Sequence, residues 1–242
     1  MKKFVVTLLL LSALLFASCA QNNTYYIQET KETGGSLSGS FEVPEKDEPK
    51  YSIGEYVEFG VYDYNGDSPD AIAPLKWKIL DYKNGDYLLL TDVSVMCMPY
   101  NEVAGDTSWK ECDIRNWLNT DFFDFAFTTS ERERIANTKL ETSGGNEETV
   151  SDKVFLLSYS EVIKYLPEKE DRLCGATGLT DKMGAFSDNG NYGWWLRGAG
   201  DSADTACRVN MYGNVLTNYS ASEGGVERTD YTVRPAIWVE LD

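Results

Sequence analysis

Trp77-Lys78-Ile79-Leu80 and Tyr87-Leu88-Leu89-Leu90-Thr91 are two apolar runs joined through Lys83-Asn84-Gly85-Asp86, and this stretch decides the fold class. Asn-Gly between apolar runs is typical of a β-hairpin, because both residues tolerate the positive φ angles of its tight turn. Upstream, Tyr56-Val57-Glu58-Phe59-Gly60-Val61 alternates with a period of two, as a half-buried strand does. The sequence therefore predicts antiparallel strands from residue 56 onward.

Helical patterns alternate with short strand patterns in the rest of the chain. Three helices are predicted, from Asp113 to Phe127 with an interruption at Asn119-Thr120-Asp121, from the cap Thr129-Ser130 to Ile135, and from Ser158 to Leu166 before Pro167. Two further strands are predicted at Val154-Phe155-Leu156-Leu157 and at Val233 to Val239. Because the last one contains Pro235, it is expected either to be paired on one side there or to begin nearby. Because the elements lack a βαβ rhythm, the fold class is α+β.

The first residues have the features of an export signal. Lys2 and Lys3 precede an apolar run from Phe4 to Phe16, which is too short to span a bilayer. Ala17-Ser18-Cys19 resembles the lipobox of bacterial lipoproteins, and this resemblance implies cleavage before Cys19 and acylation of its sulfur. Ordinary secretion, with Cys19 as a spare thiol, is the alternative.

Three segments follow from this interpretation. Residues 1–18 are a signal peptide, residues 19–50 are a lipid anchor and flexible linker, and residues 51–242 are a single α+β domain. The linker is rich in Gly, Ser, Asn and Glu, as flexible tethers are.

Composition excludes several classes of function. The formal net charge is −17 at pH 7, and a chain of this sign repels nucleic acid. The sequence contains no histidine, which removes serine and cysteine hydrolases that use a histidine base and zinc sites that use histidine ligands. The composition does not exclude a glycosidase that uses a pair of carboxylates, because the sequence does not give the distance between two acidic side chains.

Four cysteines besides Cys19 allow three disulfide pairings in an exported protein. Proximity along the chain favours Cys97 with Cys112 and Cys174 with Cys207. Free, partly buried thiols are the alternative.

An acidic segment is a candidate calcium loop. Asp63, Asn65, Asp67 and Asp70 supply oxygen ligands at near-alternate positions, as the first half of such a loop does. The glycine and the bidentate glutamate that complete an EF-hand loop are missing, so a plain acidic turn is the alternative.

Residues 188–225 form the candidate ligand-binding region. Aromatic faces stack on sugar rings, amides bind hydroxyls, and Tyr and Asn are common on adaptable binding surfaces. Because neighbours in a strand face opposite sides, at most one of Trp194 and Trp195 is expected in the core. Arg197 and Arg234 are interpreted as structural residues that pair with buried carboxylates or carbonyls. The candidate ligand-binding residues are Asn189, Asn191, Tyr192, Trp194, Asp201, Asp204, Asn210, Tyr212 and Asn214, continued by Asn218 and Tyr219. Long solvated loops have a similar composition, which is the alternative.

Ordered motifs resemble a family of exported bacterial domains of unknown function over residues 51 to 242. They are Trp109-Lys110-Glu111-Cys112-Asp113-Ile114-Arg115-Asn116-Trp117-Leu118-Asn119, Asp152-Lys153-Val154-Phe155-Leu156-Leu157-Ser158, and Trp195-Leu196-Arg197 with Val233-Arg234-Pro235-Ala236. The last two are also similar to the end of C-type-lectin-like domains, including formylglycine-generating enzymes. That resemblance implies a compact α+β core with a long irregular C-terminal region that holds the ligand. The copper-binding cysteine pair of those enzymes and the calcium motifs of true lectins are not recognisable.

These features predict a lipid-anchored protein of the cell envelope, in the outer membrane or at the cell surface. Its domain is expected to bind an extracellular glycan or protein ligand without catalysis, and its anchor makes the membrane a partner. No cofactor is expected, with calcium left open. The alternatives are a carboxylate-based glycan-processing enzyme and a structural component of the envelope.

Overall fold

The predicted hairpin is confirmed as part of a five-stranded antiparallel sheet in the computed structural model, which describes residues 48–66, 72–141, 149–202, 204–217 and 225–242. Asn84 and Gly85 connect the two strands with φ angles of 56° and 96°, as a tight hairpin turn requires. The first three strands are β1 (Tyr56–Asp63), β2 (Ile72–Lys83) and β3 (Asp86–Thr91).

The end of the chain completes this first sheet. Strand β14 (Ala236–Glu240) lies between β3 and the short β7 (Val154–Phe155), so the order is β1-β2-β3-β14-β7. The predicted strand from Val233 to Val239 is interrupted at Arg234 and Pro235, and β14 begins directly after the proline. Strand β7 is shorter than predicted, because Leu156 and Leu157 are buried but leave the ladder.

The strands of a second five-stranded sheet are β4 (Met96–Cys97), β10 (Trp194–Ala199), β11 (Ala206–Val209), β12 (Val215–Leu216) and β13 (Thr232–Val233). Their order is β12-β11-β10-β13-β4, and β10 and β13 form its one parallel pair. Two small hairpins accompany the sheets, formed by β5 (Thr138–Glu141) with β6 (Thr149–Asp152) and β8 (Ser187–Asp188) with β9 (Asn191–Tyr192).

The predicted helices are present, with differences at their boundaries. The first is interrupted as expected, because a π-helical turn (Leu118–Phe122) separates α1 (Asp113–Trp117) from α2 (Phe123–Ala126). The cap of α3 (Thr129–Arg134) is Thr128, one residue earlier than predicted. Helix α4 (Tyr159–Tyr165) starts after the cap Ser158 and ends before Pro167, as predicted. A 3₁₀ turn (Glu170–Arg172) and α5 (Gly178–Lys182) follow.

The Arg-x-Trp-Leu-Asn motif attaches this helical segment to the first sheet. Asn119 donates Nδ2 to the carbonyl of Val154 at 2.9 Å and accepts the backbone N–H of Lys153 at 3.1 Å. Arg115 forms a 2.7 Å salt bridge with Asp152, which is buried and also accepts the indole N–H of Trp109 at 2.8 Å. These residues therefore have structural roles.

The Val-Arg-Pro-Ala motif carries the chain from the second sheet to the first. Arg234 is buried, donates Nε to the carbonyl of Thr91 at 2.8 Å, and lies 5.2 Å from the ring of Trp194. Pro235 accepts the N–H of Thr91 at 3.0 Å. The structural interpretation of Arg234 is confirmed, with a carbonyl rather than a carboxylate as its partner.

The favoured disulfide pairings are wrong, because all four described cysteines are free and buried. Burial raises the pKa of Cys112 to about 12 and those of Cys97 and Cys207 to about 11, with smaller effects of nearby groups. Thiols in this state are poor nucleophiles.

The described elements, short sheets mixed with short helices, form one compact unit and confirm the α+β class. No helix in this part of the chain is long and apolar enough to cross a membrane. Residues 1–47, with the predicted signal peptide, Cys19 and most of the linker, lie outside the described residues.

Candidate functional site

The six tryptophans separate into structural residues and cavity residues. In four of them, Trp77, Trp109, Trp194 and Trp195, the indole N–H donates a hydrogen bond of 2.7 to 3.0 Å and the side chain is buried. The indole N–H groups of Trp117 and Trp238 donate to no described residue, and both side chains are only partly buried. Each of these two lines a cavity.

The larger cavity is an open groove of about 930 Å³ beside Trp238. Its walls are the β5–β6 hairpin, the start of α4 and the turn between β2 and β3. Six lining residues carry amide or aliphatic hydroxyl groups and six are charged, with Tyr159 as a second aromatic residue. The polar wall residues are Asn84, Asn137, Thr138, Thr149, Ser158 and Ser160.

A buried arginine holds the walls of the groove together. The side chain of Arg197 is 4% exposed, and its Nη2 lies 3.1 Å from Oε2 of Glu161 on α4. Its Nη1 donates to the carbonyl of Leu156 at 2.7 Å, and its Nε donates to the carbonyl of Glu141 on β5 at 3.4 Å. Arg197 therefore joins a hairpin, a strand end and a helix, which confirms its structural interpretation.

Glu161 also has a structural role. Its Oε2 accepts the backbone N–H of Ser158 at 2.7 Å, and the Ser158 hydroxyl accepts the N–H of Glu161 at 3.2 Å. This reciprocal pair is a capping box. Because Glu161 caps α4 and pairs with Arg197, it positions the groove wall.

The aromatic residues of the groove come from ordinary local patterns. Tyr159 is the first residue of α4, and its side chain is 45% exposed. Trp238 alternates with the buried residues Ile237 and Val239 along β14. This period-two pattern predicts that Trp238 faces away from Ile237. The alternation is therefore the sequence feature that could have identified Trp238 as a groove residue.

One acid at the edge of the groove is electrostatically perturbed. Burial, and then the charge of Glu240, raises the pKa of Asp86. The two residues are register partners across β3 and β14.

The smaller cavity, of about 280 Å³, lies beside Trp117, and half of its lining residues are aromatic. Tyr62, Phe122 and Phe125 line it together with Asp63 and Asp121. It shares no lining residue with the groove.

Trp194 and Trp195 are core residues, and the expectation that at most one of them is buried is wrong. Both have 0% exposure, so Trp194 cannot present a face to a ligand. The reason is that β10 is covered on both sides: its first five residues are all buried. Tyr192 is also buried, and its hydroxyl donates to Asp181 at 2.7 Å.

The other predicted binding residues do not form one surface. Asn189 and Asn191 belong to the β8–β9 hairpin. Tyr212 is exposed, and the Asp188 carboxylate of the same hairpin raises its pKa. Asn210 organises the adjacent turn by accepting the N–H groups of Tyr212 and Asn214, each at 3.0 Å.

Asp201 and Asp204 lie at the opposite end of the β10–β11 pair. Strand β10 is six residues long, which separates its two ends by about 20 Å. Asp204 accepts the hydroxyl hydrogen of Ser202 within its own loop. Asn218 and Tyr219 lie outside the described residues.

The candidate calcium loop is a hydrogen-bonded turn where it is described. Asp63 Oδ1 accepts the N–H groups of Asn65 at 3.0 Å and Gly66 at 2.7 Å. Asp67 and Asp70 lie outside the described residues. In the described part of the chain, no three Asp, Glu or Cys side chains are grouped so that they could hold a metal ion.

Comparison with known proteins gives one match. Residues 84–241, more than half of the chain, match a family described as a domain of unknown function, DUF6273. No curated protein and no solved structure matches the chain. Every groove-lining residue except Lys83 falls within the matched range, whereas Tyr62 and Asp63 of the smaller cavity precede it.

Proposed function

Because the chain belongs to the DUF6273 family, whose description names no function, we propose from the groove itself that the domain binds an extracellular glycan without catalysis. One observation carries the proposal. A groove of about 930 Å³ presents two partly exposed aromatic side chains, Tyr159 and Trp238, among amide and hydroxyl groups.

The chemistry of the groove suits a neutral, polyhydroxylated ligand. An aromatic face buries the apolar C–H face of a sugar ring, and side-chain amides and hydroxyls pair with its hydroxyls. The charged wall residues are balanced in sign, which disfavours a strongly charged ligand. They are Lys83, Lys139 and Arg197 against Asp86, Glu141 and Glu161. The volume lies in the upper part of the range of about 300 to 1,000 Å³ that is usual for ligand sites.

The proposal includes display at the cell envelope. The lipobox-like Ala17-Ser18-Cys19 supports an acylated Cys19 after removal of residues 1–18, and the polar composition of residues 20–50 supports a tether. A flexible chain of about thirty residues reaches about 30 Å, which lifts the groove clear of lipid headgroups in the outer membrane or at the cell surface.

A C-type-lectin-like relationship is part of the same proposal. The mixed short sheets support it, as do the irregular stretches described at residues 200–202, 210–214 and 226–231. The ligand site is proposed in the groove rather than among the residues predicted from sequence, because Tyr192 and Trp194 are buried and the other described ones are divided between two ends of a hairpin.

A glycan-processing enzyme is the second candidate, and the raised pKa of Asp86 at the edge of the groove favours it. This enzyme would need a second carboxylate across the scissile bond. Release of reducing sugar from envelope polysaccharides, lost in Asp86→Asn, would support the enzyme.

A glycan array followed by calorimetry tests the binding proposal. We expect Tyr159→Ala and Trp238→Phe to weaken binding of the best array ligand. Tyr212→Ala is the matched control, because Tyr212 is a 58% exposed tyrosine outside the groove. Loss of binding in Tyr212→Ala with retention in both groove variants would instead locate the site on the surface predicted from sequence. Absence of any array ligand would overturn glycan binding.

A further inference from the structure

The small cavity beside Trp117 is built by four elements that are distant in sequence. The end of β1 supplies Tyr62 and Asp63, and the π-helical turn with its flanking residues supplies most of the remainder. Leu179 of α5 and Met96 of β4 close it. The backbone N–H of Leu179 donates to the carbonyl of Tyr64 at 2.8 Å, which ties α5 to the end of β1.

The cavity is lined by a cluster of aromatic rings. The ring centroid of Tyr62 lies 5.6 Å from that of Phe122 and 5.9 Å from that of Phe125, and Trp117 lies 5.4 Å from Phe122. Phe125 is 48% exposed although its neighbour Tyr62 is 4% exposed. The cluster is therefore open to solvent on the side of Phe125.

The π-helical turn explains why these groups converge. Its hydrogen bonds span five residues rather than four, which brings Phe122 close to the face of Trp117, five positions earlier. The same turn presents Asp121 beside the rings. Single π-helical turns inside helices occur frequently at functional sites.

The polar groups of this cavity have few partners. Neither Asp63 nor Asp121 forms a salt bridge with a described lysine or arginine. The Tyr62 hydroxyl and the Trp117 indole N–H bond to no described residue. Two carboxylates and electron-rich ring faces together make a negative electrostatic environment.

We propose that this cavity binds a small organic cation, an ammonium group that carries methyl or alkyl substituents. Ring faces attract such a cation through their quadrupoles, and its alkyl groups bury apolar surface that an inorganic ion lacks. The carboxylates of Asp63 and Asp121 supply the compensating charge. A volume of about 280 Å³ admits a headgroup of this size.

Titration of the full chain with tetramethylammonium and with choline tests the proposal, read by calorimetry and by the indole N–H resonance of Trp117. We expect saturable binding at constant ionic strength. The neutral choline isostere 3,3-dimethyl-1-butanol and potassium chloride are the ligand controls, and neither is expected to shift the Trp117 resonance. Equal binding of the neutral isostere, or no saturable change with either cation, would overturn the proposal.

Two variants and two matched controls locate the site. Phe125→Ala and Asp121→Asn are expected to weaken cation binding by about five- to thirty-fold. Phe186→Ala, which changes a 58% exposed phenylalanine, and Asp106→Asn, which changes an exposed aspartate, lie outside the cavity and should leave binding unchanged. Unchanged binding in both cavity variants would place the cation elsewhere and reject the site.

A free ammonium compound and a lipid headgroup share this chemistry, and vesicles separate them. Sedimentation with phosphatidylcholine vesicles that depends on Phe125 would identify a headgroup as the source. Binding of free choline without such sedimentation would identify a soluble cation.

Discussion

The groove and the aromatic cavity each contain one of the two tryptophans whose indole N–H bonds to no described residue, yet their charges differ. The groove has balanced charges on its walls, whereas the aromatic cavity has two carboxylates and no basic lining residue. In both sites the aromatic faces supply contact area. In the two proposals, the charges around a half-buried aromatic residue therefore distinguish a site for a neutral ligand from a site for a cation.

The two sites also differ in how the chain builds them. The groove depends on Arg197, which connects Glu141, Leu156 and Glu161 over long distances in sequence. The aromatic cavity depends mainly on one π-helical turn and the end of one strand. Removing the buried ion pair of Arg197 and Glu161 should therefore disturb the groove more than the aromatic cavity.

The largest expected effect is on the ion pair of the groove. Arg197→Met leaves Glu161 and the Leu156 carbonyl without their partner, and it should lower the free energy of unfolding by about 3 kcal/mol. Urea denaturation measures this loss. Arg134→Met, which removes the exposed pair with Asp242, is the control and should cost less than about 1 kcal/mol. Equal costs for the two variants would contradict the structural role of Arg197.

The next effect distinguishes the two sites directly. Tyr159 and Phe125 are 45% and 48% exposed, so their alanine variants are well matched. Tyr159→Ala should weaken glycan binding about ten-fold and leave choline binding unchanged, and Phe125→Ala should do the reverse. Calorimetry with both ligands measures the effect. If either variant weakens the binding of both glycan and choline, the two sites are not independent.

The capping boxes give a smaller effect. Ser158→Ala and Thr128→Ala each remove a side-chain cap that accepts a backbone N–H, and each should cost about 1 kcal/mol of stability. Only Ser158→Ala should also weaken glycan binding, because its partner Glu161 forms the groove wall. Parallel urea denaturation and calorimetry check this, and equal glycan affinities for the two variants would count against the groove.

The smallest effect concerns pH. Because the pKa of Asp86 is raised in the folded protein, folding disfavours its charged form, and stability falls as pH rises through that pKa. Asp86→Asn removes this decline, so the variant should be more stable than the natural protein at neutral pH. The difference should vanish below the ordinary aspartate pKa of about 3.9. Urea denaturation across this pH range measures it, and a difference that is constant with pH would contradict the assignment.

Local elements of the fold were predictable because their causes are local. The Asn84-Gly85 turn follows from φ angles that few residues tolerate, and helix α4 follows from its cap Ser158 and from Pro167. The boundary of α3 was misplaced by one residue, because Thr128 and Thr129 are both adequate caps in sequence.

The tryptophan prediction failed for a reason of packing. The period-two rule assumes that one face of a strand meets solvent. In β10 both faces are buried, so Trp194 and Trp195 are both in the core. No local pattern distinguishes this strand from a half-exposed one.

The α+β class, the Asn84-Gly85 hairpin and the main helices were predictable from sequence, because turn geometry and helix capping act over a few residues. The structural roles of Arg197 and Arg234 were predictable from the cost of burying a charge, but their partners lie as far as 143 positions away and follow from packing. The positions of the groove and of the aromatic cavity, in contrast, depend on tertiary packing. Trp238 and Tyr159 are 79 positions apart, and Tyr62 and Trp117 are 55 apart. A binding site requires such residues to meet, and the packing of sheets and helices, rather than their spacing in the chain, brings them together.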